Sequence, residues 1–157
     1  MPDDLQVIYW DANVTLSYLN AIPDRVSDLD ALLEQSGREF QIVTSTVSVV
    51  EVAFAAIEQA AGALDPAVEQ HIAALWATDS PIKLVEFSVL VAETARGLVR
   101  QAMIHGKRMR PMDAIHLATA QALTASRFHT YDERLYQYSE LVGFPISPPQ
   151  ASAPKLL

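Results

Sequence analysis

The stretch PMDAIHLATAQALTASRFHTYD, residues 111–132, decides the fold of this chain. Pro111 to Ala125 predicts a strong helix, because proline in the first turn of a helix loses no hydrogen bond. Arg127 to Tyr131 predicts a short strand that ends at Asp132. A helix that leads directly into a strand is typical of an α/β domain with a mainly parallel sheet.

The rest of the chain repeats this alternation. Leu5 to Trp10, LQVIYW, is an apolar run rich in β-forming residues and predicts a buried strand. Strands are also predicted at 40–43 and 82–87, and helical apolar spacing marks 14–19, 24–35, 46–61, a helix that starts at Asp65-Pro66, and 88–105. Residues 1–146 are therefore predicted to form an α/β domain, a small mainly parallel sheet of about four or five strands flanked by helices. Residues 147–157 are expected to be a proline-containing C-terminal tail.

Composition limits the class of protein. The chain has 157 residues, 50% hydrophobic and 19% charged, which fits one globular core and excludes an intrinsically disordered chain. Cysteine is absent, which excludes disulfide scaffolds, zinc ribbons and thiol nucleophiles. No apolar run approaches the roughly 18–20 residues of a membrane helix, and the start MPDD lacks the basic region of a secretory signal. We expect a cytoplasmic protein with no membrane partner.

The net charge of −8 is unevenly distributed. Residues 1–94 carry 15 acidic and 3 basic side chains, whereas residues 95–157 carry 4 acidic and 8 basic ones. A strip without acids contains five of these bases: Arg96, Arg100, Lys107, Arg108 and Arg110. Such a strip can bind phosphate groups, or it can be a solvated helix face followed by a basic helix end.

Two acidic residues follow predicted strands directly. Asp11 comes after LQVIYW, and Asp132 comes after RFHTY. Each alone could be a helix cap or a turn residue. Ligands of open parallel sheets bind beyond the carboxyl ends of the strands, however, and neighbouring strands would bring the two carboxylates together there.

Glu51 is the only charged residue between Gln41 and Ile57. An ionised carboxylate in such apolar surroundings is unfavourable by several kcal/mol unless it is paired, protonated or bound to a metal. The alternatives are that this helix face reaches solvent, or that a distant arginine pairs with Glu51.

Asp113 and His116 lie on one face of the predicted helix at 111–125. The helix dipole favours an acid in the first turn by roughly 0.3–1 kcal/mol, which is a sufficient structural reason for Asp113. A lone histidine at the position of His116 is more often a packed or supporting residue than a metal ligand.

Four acids therefore stand where the local pattern does not require a solvated charge: Asp11, Glu51, Asp113 and Asp132. If they converge, their mutual repulsion raises carboxylate pKa values and destabilises the fold. A divalent cation would relieve that repulsion, and ligands that are all oxygen select Mg²⁺ or Mn²⁺. Such an ion typically contacts a substrate phosphate.

At this point the sequence resembles the PIN-domain nucleases, and in particular the VapC-like ribonuclease toxins of toxin–antitoxin pairs. The most specific similarity is the run DAIHLATA, residues 113–120, followed after a short strand by Thr-x-Asp. The resemblance covers about residues 5–146, with these matching pieces: YWDANVTLSYL (9–19), STVSVVEVAFA (45–55), MDAIHLATA (112–120) and HTYDERL (129–135).

The resemblance implies a PIN-like fold and Mg²⁺- or Mn²⁺-dependent hydrolysis of RNA phosphodiester bonds. It places Asp11, Glu51, Asp113 and Asp132 at the catalytic and metal-binding positions of the family. It places Asn13 and Thr130 beside them as supporting polar residues, a role that we extend to His116. It also implies a homodimer and inhibition by a cognate antitoxin protein. Arg108 and Arg110, just before Asp113, are candidates for contacting the RNA backbone, and the alternative is that they are solvated loop charges.

A phosphohydrolase of the haloacid-dehalogenase type is a second enzymatic hypothesis. Residues 11–15, DANVT, resemble the Asp-x-Asp-x-Thr that opens that family. Asn13 replaces the second Asp, however, which removes the usual acid–base group, and no later lysine motif is evident.

A third hypothesis is a PIN-like module that binds RNA or a partner protein without cutting RNA. A purely binding role would not need four intact acids, so the sequence favours the nuclease.

Overall fold

The computed structural model describes residues 5–151 and centres on a parallel sheet. The five strands are β1 (Gln6–Trp10), β2 (Phe40–Ser45), β3 (Ile82–Val85), β4 (Arg127–His129) and β5 (Ile146–Ser147). They are ordered β3-β2-β1-β4-β5, and every neighbouring pair is parallel. The predicted α/β fold is confirmed, with β1 at the centre of the sheet.

Helices connect the strands. They are α1 (Ala12–Leu19), α2 (Val26–Gln35), α3 (Val47–Glu51), α4 (Ala56–Ala61), α5 (Pro66–Leu75), α6 (Val89–Ile104), α7 (Pro111–Ala122) and α8 (Ser139–Val142), with a 3₁₀ helix at Glu133–Tyr138. In residues 5–151, no helix has both the length and the apolar character needed to cross a bilayer.

The sheet separates two apolar cores, because side chains of a strand alternate between its faces. Tyr9 packs with residues of α6 and α7, including Leu98 and Leu117. Ile8 and Trp10 pack on the other face, with residues of α1, α2 and α5. The central strand therefore fixes α7 on the Tyr9 face, and α7 carries Asp113 and His116.

The helix predicted over 46–61 is wrong, because the structure breaks it into α3 and α4. Val52 leaves helical backbone geometry and is fully buried in the core on the Ile8 face. The Ala55 N–H then donates to Glu58 Oε1 at 3.2 Å, which starts α4 as a new helix. Valine-rich sequence has low helix propensity, so burial of Val52 outweighs continuation of the helix.

Smaller differences concern the ends of elements. β3 ends at Val85, β4 at His129 and α7 at Ala122, each two or three residues earlier than predicted. The predicted helix start at Asp65 is confirmed, because its carboxylate accepts a hydrogen bond from Ala67 N at 2.9 Å. Ser147, the first residue of the predicted tail, ends β5. The acidic start at 1–4 and residues 152–157 lie outside the described residues.

Candidate active site

Two polar residues follow the central strands at the carboxyl edge of the sheet. Asp11 comes directly after β1, and Thr130 comes directly after the neighbouring strand β4. The Thr130 hydroxyl donates to Asp11 Oδ2 at 3.1 Å. Asp11 stands at the start of α1, but its side chain makes no capping hydrogen bond, and the residue is 6% exposed. Its carboxylate is therefore not explained as a helix cap.

Asn13 joins Asp11 to the loop after β4. Its Nδ2 donates to Thr130 Oγ1 at 2.9 Å and to Asp11 Oδ2 at 3.4 Å, and its Oδ1 accepts from Tyr131 N at 3.0 Å. The Asp132 N–H also donates to Thr130 Oγ1 at 3.0 Å. These bonds orient the carboxylate of Asp11 and the backbone that carries Asp132.

Glu51 reaches the same region from α3, which it ends. Its Oε1 lies 2.5 Å from His116 Nε2, and the same nitrogen lies 4.0 Å from Asp11 Oδ1. The Glu51 side chain is 30% exposed. Two of the alternatives for Glu51 are therefore combined: its side chain reaches solvent at the end of α3, and it has a partner, which is a histidine rather than a distant arginine.

Asp113 and Asp132 complete the group of acids. Asp113 lies in the first turn of α7 and is half-buried. Asp132 stands at the start of the 3₁₀ helix and accepts hydrogen bonds from the backbone N–H of Arg134 at 3.1 Å and from its Nε at 2.9 Å. The Arg134 Nη2 also contacts Asp132 Oδ2 closely. Asp132 is thus both a helix cap and half of an ion pair.

The pKa values show electrostatic repulsion between the carboxylates. Burial raises the pKa of the Asp11 carboxyl, and the charge of Glu51 adds to this rise. Burial also raises the pKa of Asp113, and the charges of Asp11 and Asp132 add to it. The four carboxylates therefore form one electrostatic cluster.

Two basic side chains of the same chain oppose this repulsion. Hydrogen bonds from Arg134 lower the pKa of Asp132. Burial disfavours the charged form of His116, but the hydrogen bond to Glu51 and the charge of Asp11 outweigh burial and raise the pKa of His116. His116 and Arg134 therefore offset mainly the negative charges of Glu51 and Asp132, the two carboxylates that they contact.

A family model describes this arrangement. The model of the PIN domain matches residues 8–141, which contain all four acids. The chain belongs to the PIN domain family. This PIN domain matches no curated protein sequence at a significant level. The haloacid-dehalogenase hypothesis is not supported, because the family that matches is a different one.

Solved structures share the fold of this PIN domain at low sequence identity. VapBC-1 from nontypeable Haemophilus influenzae has a TM-score of 0.66 at 14% identity. VapBC2 from Rickettsia felis, bound to a promoter DNA fragment, has a TM-score of 0.64 at 13% identity. They cover 91% and 90% of this chain and 98% and 97% of theirs. VapC20 from Mycobacterium tuberculosis, described as a sarcin-ricin loop cleaving toxin, has a TM-score of 0.62 at 14% identity over 87% of this chain and 95% of its own.

The chemistry of the acids fits a hard divalent cation. The four side chains offer only oxygen atoms, and the pKa values of Asp11 and Asp113 are raised, so a cation would stabilise their charged forms. As they stand, no three His, Asp or Glu side chains of residues 5–151 lie close enough together to hold a metal ion. Glu51 or Asp132 would have to turn from its present partner to join the others around an ion.

The two arginines proposed to contact RNA differ in their electrostatic influence on the acids. Arg110 directly precedes α7, is exposed, and its charge contributes to lowering the pKa of Asp132. Arg108 is exposed, and within the described part of the chain it forms no ion pair with an acid. Arg110 is thus the better placed of the two.

The sequence analysis missed two residues of the site. Arg134 stands two residues after Asp132, and an arginine so near a candidate acid was an available signal. Tyr9 was assigned only to a buried strand, but its Oη lies 2.6 Å from His116 Nδ1. Nothing local distinguishes Tyr9 from an ordinary core tyrosine.

Proposed function

We propose that this PIN domain is a metal-dependent endoribonuclease, and that it is the toxin of a VapBC-like toxin–antitoxin pair. The observation that carries the proposal is the electrostatic coupling of four carboxylates from four separate segments: the charge of Glu51 raises the pKa of Asp11, and the charges of Asp11 and Asp132 raise that of Asp113. Membership of the PIN domain family supports nuclease chemistry. The description of the structurally similar VapC20 as a cleaving toxin supports RNA as substrate.

In the proposed mechanism, Asp11, Asp113 and Asp132 hold Mg²⁺ or Mn²⁺, and Glu51 is either a further ligand or the group that orients the attacking water. When bound, such an ion polarises a phosphoryl group, lowers the pKa of water and stabilises the leaving oxygen. The chain supplies orientation: Thr130 and Asn13 fix Asp11, and His116 holds one oxygen of Glu51.

Substrate binding is assigned to exposed basic groups. Arg108 and Arg110 would contact phosphates of the RNA backbone on the approach to Asp113. Arg134 is half-exposed beside Asp132, so a substrate phosphate would compete with that carboxylate for the guanidinium.

The proposed partners follow from the structurally similar complexes. Several are VapBC or related toxin–antitoxin assemblies, some of them bound to DNA. We therefore propose a cognate antitoxin, a homodimer and a cytoplasmic site of action for this protein. A short reading frame directly upstream that encodes a small DNA-binding protein would support the antitoxin.

RNA cleavage tests the enzymatic proposal. Purified protein is incubated with bacterial total RNA, with Mg²⁺ or with EDTA, and the 5′ ends of new fragments are mapped. Wild type should cut only with the ion, and Asp11→Asn and Asp113→Asn should not cut. Asp30→Asn, an exposed acid of α2, is the matched control and should cut like wild type. Undiminished cleavage by both folded site variants would refute the assignment.

A PIN domain that binds RNA without cutting it is the second candidate. It is favoured by the pairing of Glu51 with His116 and of Asp132 with Arg134, which leaves fewer carboxylates free for an ion. Calorimetric titration with Mn²⁺ separates the two, because a pure binding module would release no heat of metal binding while still binding RNA.

A further inference from the structure

A line of polar side chains runs from the core of the PIN domain to Glu51. Tyr9 Oη lies 2.6 Å from His116 Nδ1, and His116 Nε2 lies 2.5 Å from Glu51 Oε1. Tyr9 is 0% exposed and His116 is 1% exposed, whereas the Glu51 side chain is 30% exposed. The line therefore begins inside the molecule and ends at the surface of the site.

The hydrogen bonds of this line have a defined direction. The Ser45 N–H donates to Tyr9 Oη at 3.0 Å, so the hydroxyl proton of Tyr9 is available for His116 Nδ1. Burial raises the pKa of Tyr9, which keeps that proton on the phenol. Because the ionised carboxylate of Glu51 can only accept, the ring proton lies on Nε2 and is donated to Glu51, and in the neutral ring Nδ1 is then the acceptor that faces the Tyr9 hydroxyl.

Tyr9 is itself held rigidly. Its ring stacks on Phe128 with 5.1 Å between centroids and 13° between planes, and it lies on the central strand. Glu51, in contrast, ends the five-residue helix α3 directly before the break in the backbone. A glutamate there would sample many rotamers without a fixed partner. The rigid end of the line therefore orders the mobile end.

We propose that Tyr9 and His116 are positioning residues that hold Glu51 by Oε1 and leave Oε2 directed to the reacting groups. This inference rests on the proposed nuclease function. It assigns Glu51 to orienting the attacking water rather than to holding the metal, because one of its two oxygens is already engaged by a donor from α7.

Kinetics of RNA cleavage provide the first test. Tyr9→Phe and His116→Leu should each lower kcat about 10–100-fold, with little change in KM, as for other residues that orient a catalytic group. His116→Gln, which keeps a donor near the position of Nε2, should recover part of the loss. Tyr18→Phe, which removes a hydroxyl away from the acids, is the matched control.

The same substitutions in a Glu51→Ala protein show whether the effect acts through Glu51. If the inference holds, Tyr9→Phe lowers kcat no further once Glu51 is removed. Multiplied losses would overturn it, because they indicate a general structural effect. Urea unfolding of each variant confirms that it folds, and His116→Gln replaces His116→Leu if the latter does not.

Nitrogen NMR of the His116 ring in the metal-free protein is the second test and does not depend on activity. Wild type should show a proton on Nε2, and Glu51→Ala should speed its exchange with water. An unprotonated Nε2, or an unchanged exchange rate, would overturn the inference. If wild type cleaves no RNA, the proposed function fails, and this spectrum still decides whether Tyr9 and His116 hold Glu51.

Discussion

Two pairs of acids in one site differ in how the chain treats their charge. Asp11 and Asp113 are the pair whose pKa is raised by burial and by neighbouring carboxylates. Glu51 and Asp132 each have a close basic partner, His116 at 2.5 Å and the guanidinium of Arg134. The first pair therefore stores unfavourable electrostatic energy in the folded protein, and the second does not.

The difference indicates what each pair is for. A cation entering the site gains most from Asp11 and Asp113, because their charges have the least compensation. Asp132 can be held by Arg134 until substrate or metal arrives, whereas Glu51 stays held by His116. The following predictions would break or sharpen this division.

Neutralising the uncompensated pair should have the largest effect on activity. Asp11→Asn or Asp113→Asn should lower the rate of RNA cleavage by more than about 100-fold, as expected when a charge that stabilises the transition state is lost. The measurement is kcat/KM on a single RNA substrate. A larger loss of kcat/KM in Glu51→Gln and Asp132→Asn than in Asp11→Asn and Asp113→Asn would reverse the division.

Metal addition should stabilise wild type but not the Asp11→Asn variant. At a concentration of Mg²⁺ or Mn²⁺ 100-fold above its Kd, the free energy of unfolding should rise by about 2.7 kcal/mol. Thermal unfolding with the ion and with EDTA measures this change. A rise of similar size in Asp11→Asn would show that the ion binds elsewhere, and Ca²⁺ serves as a test of ion selectivity.

Acid should destabilise the protein through His129, which belongs to neither pair of acids. This contribution must be separated from the pH dependence that the four carboxylates cause. Burial lowers the pKa of His129 to about 4, whereas an unfolded histidine has a pKa near 6.5. Between these values the unfolded chain binds more protons, so stability falls as the pH drops. The loss between pH 7.5 and pH 5 should be about 2 kcal/mol.

Replacing His129 isolates that contribution. Urea unfolding of His129→Leu should show a pH dependence that is smaller by the same amount. His71→Leu, an exposed histidine of α5, should leave the pH dependence of wild type unchanged. An unchanged profile in His129→Leu would show that burial of His129 is not the source of the acid sensitivity, and the carboxyls of Asp11 and Asp113 would not replace it, since their raised pKa values favour the folded protein as the pH falls.

Substitutions of the acids should have their smallest effects on the free energy of unfolding of the metal-free protein. These effects should differ between the two pairs. Asp11→Asn should raise the free energy of unfolding by on the order of 1–2 kcal/mol, because the substitution removes a buried charge and its repulsion by Glu51. Asp132→Asn should change it by less than about 0.5 kcal/mol, since its ion pair with Arg134 is partly exposed. Chemical denaturation in EDTA measures both, and equal shifts would contradict the division.

Much of this arrangement was predictable because it depends on local patterns. Asp11 follows a buried strand, and parallel strands bring their carboxyl ends to one edge, so its position at that edge followed from the predicted parallel sheet. Asp113 followed from a helix start that proline marks. The helix break at Val52 was not predictable, since it depends on the burial of Val52 in a core that forms only when the chain is packed.

The side-chain contacts of His116 with Tyr9 and Glu51 were harder to predict from the sequence. Tyr9 and His116 are separated by 107 residues, and His116 and Glu51 by 65. Their contacts depend on how α7 and α3 are placed around the sheet, to which no local rule applies.

The sequence by itself determined the α/β alternation and the acids at the ends of strands, because these depend on neighbours along the chain, and its composition determined the absence of cysteine ligands. Only the tertiary structure decided that His116 holds Glu51 from one side and that Tyr9 contacts His116 from the other. The physical reason is range: backbone preference acts over a few residues, whereas the balance of buried charge is set by whichever groups the packed core brings within a few ångströms.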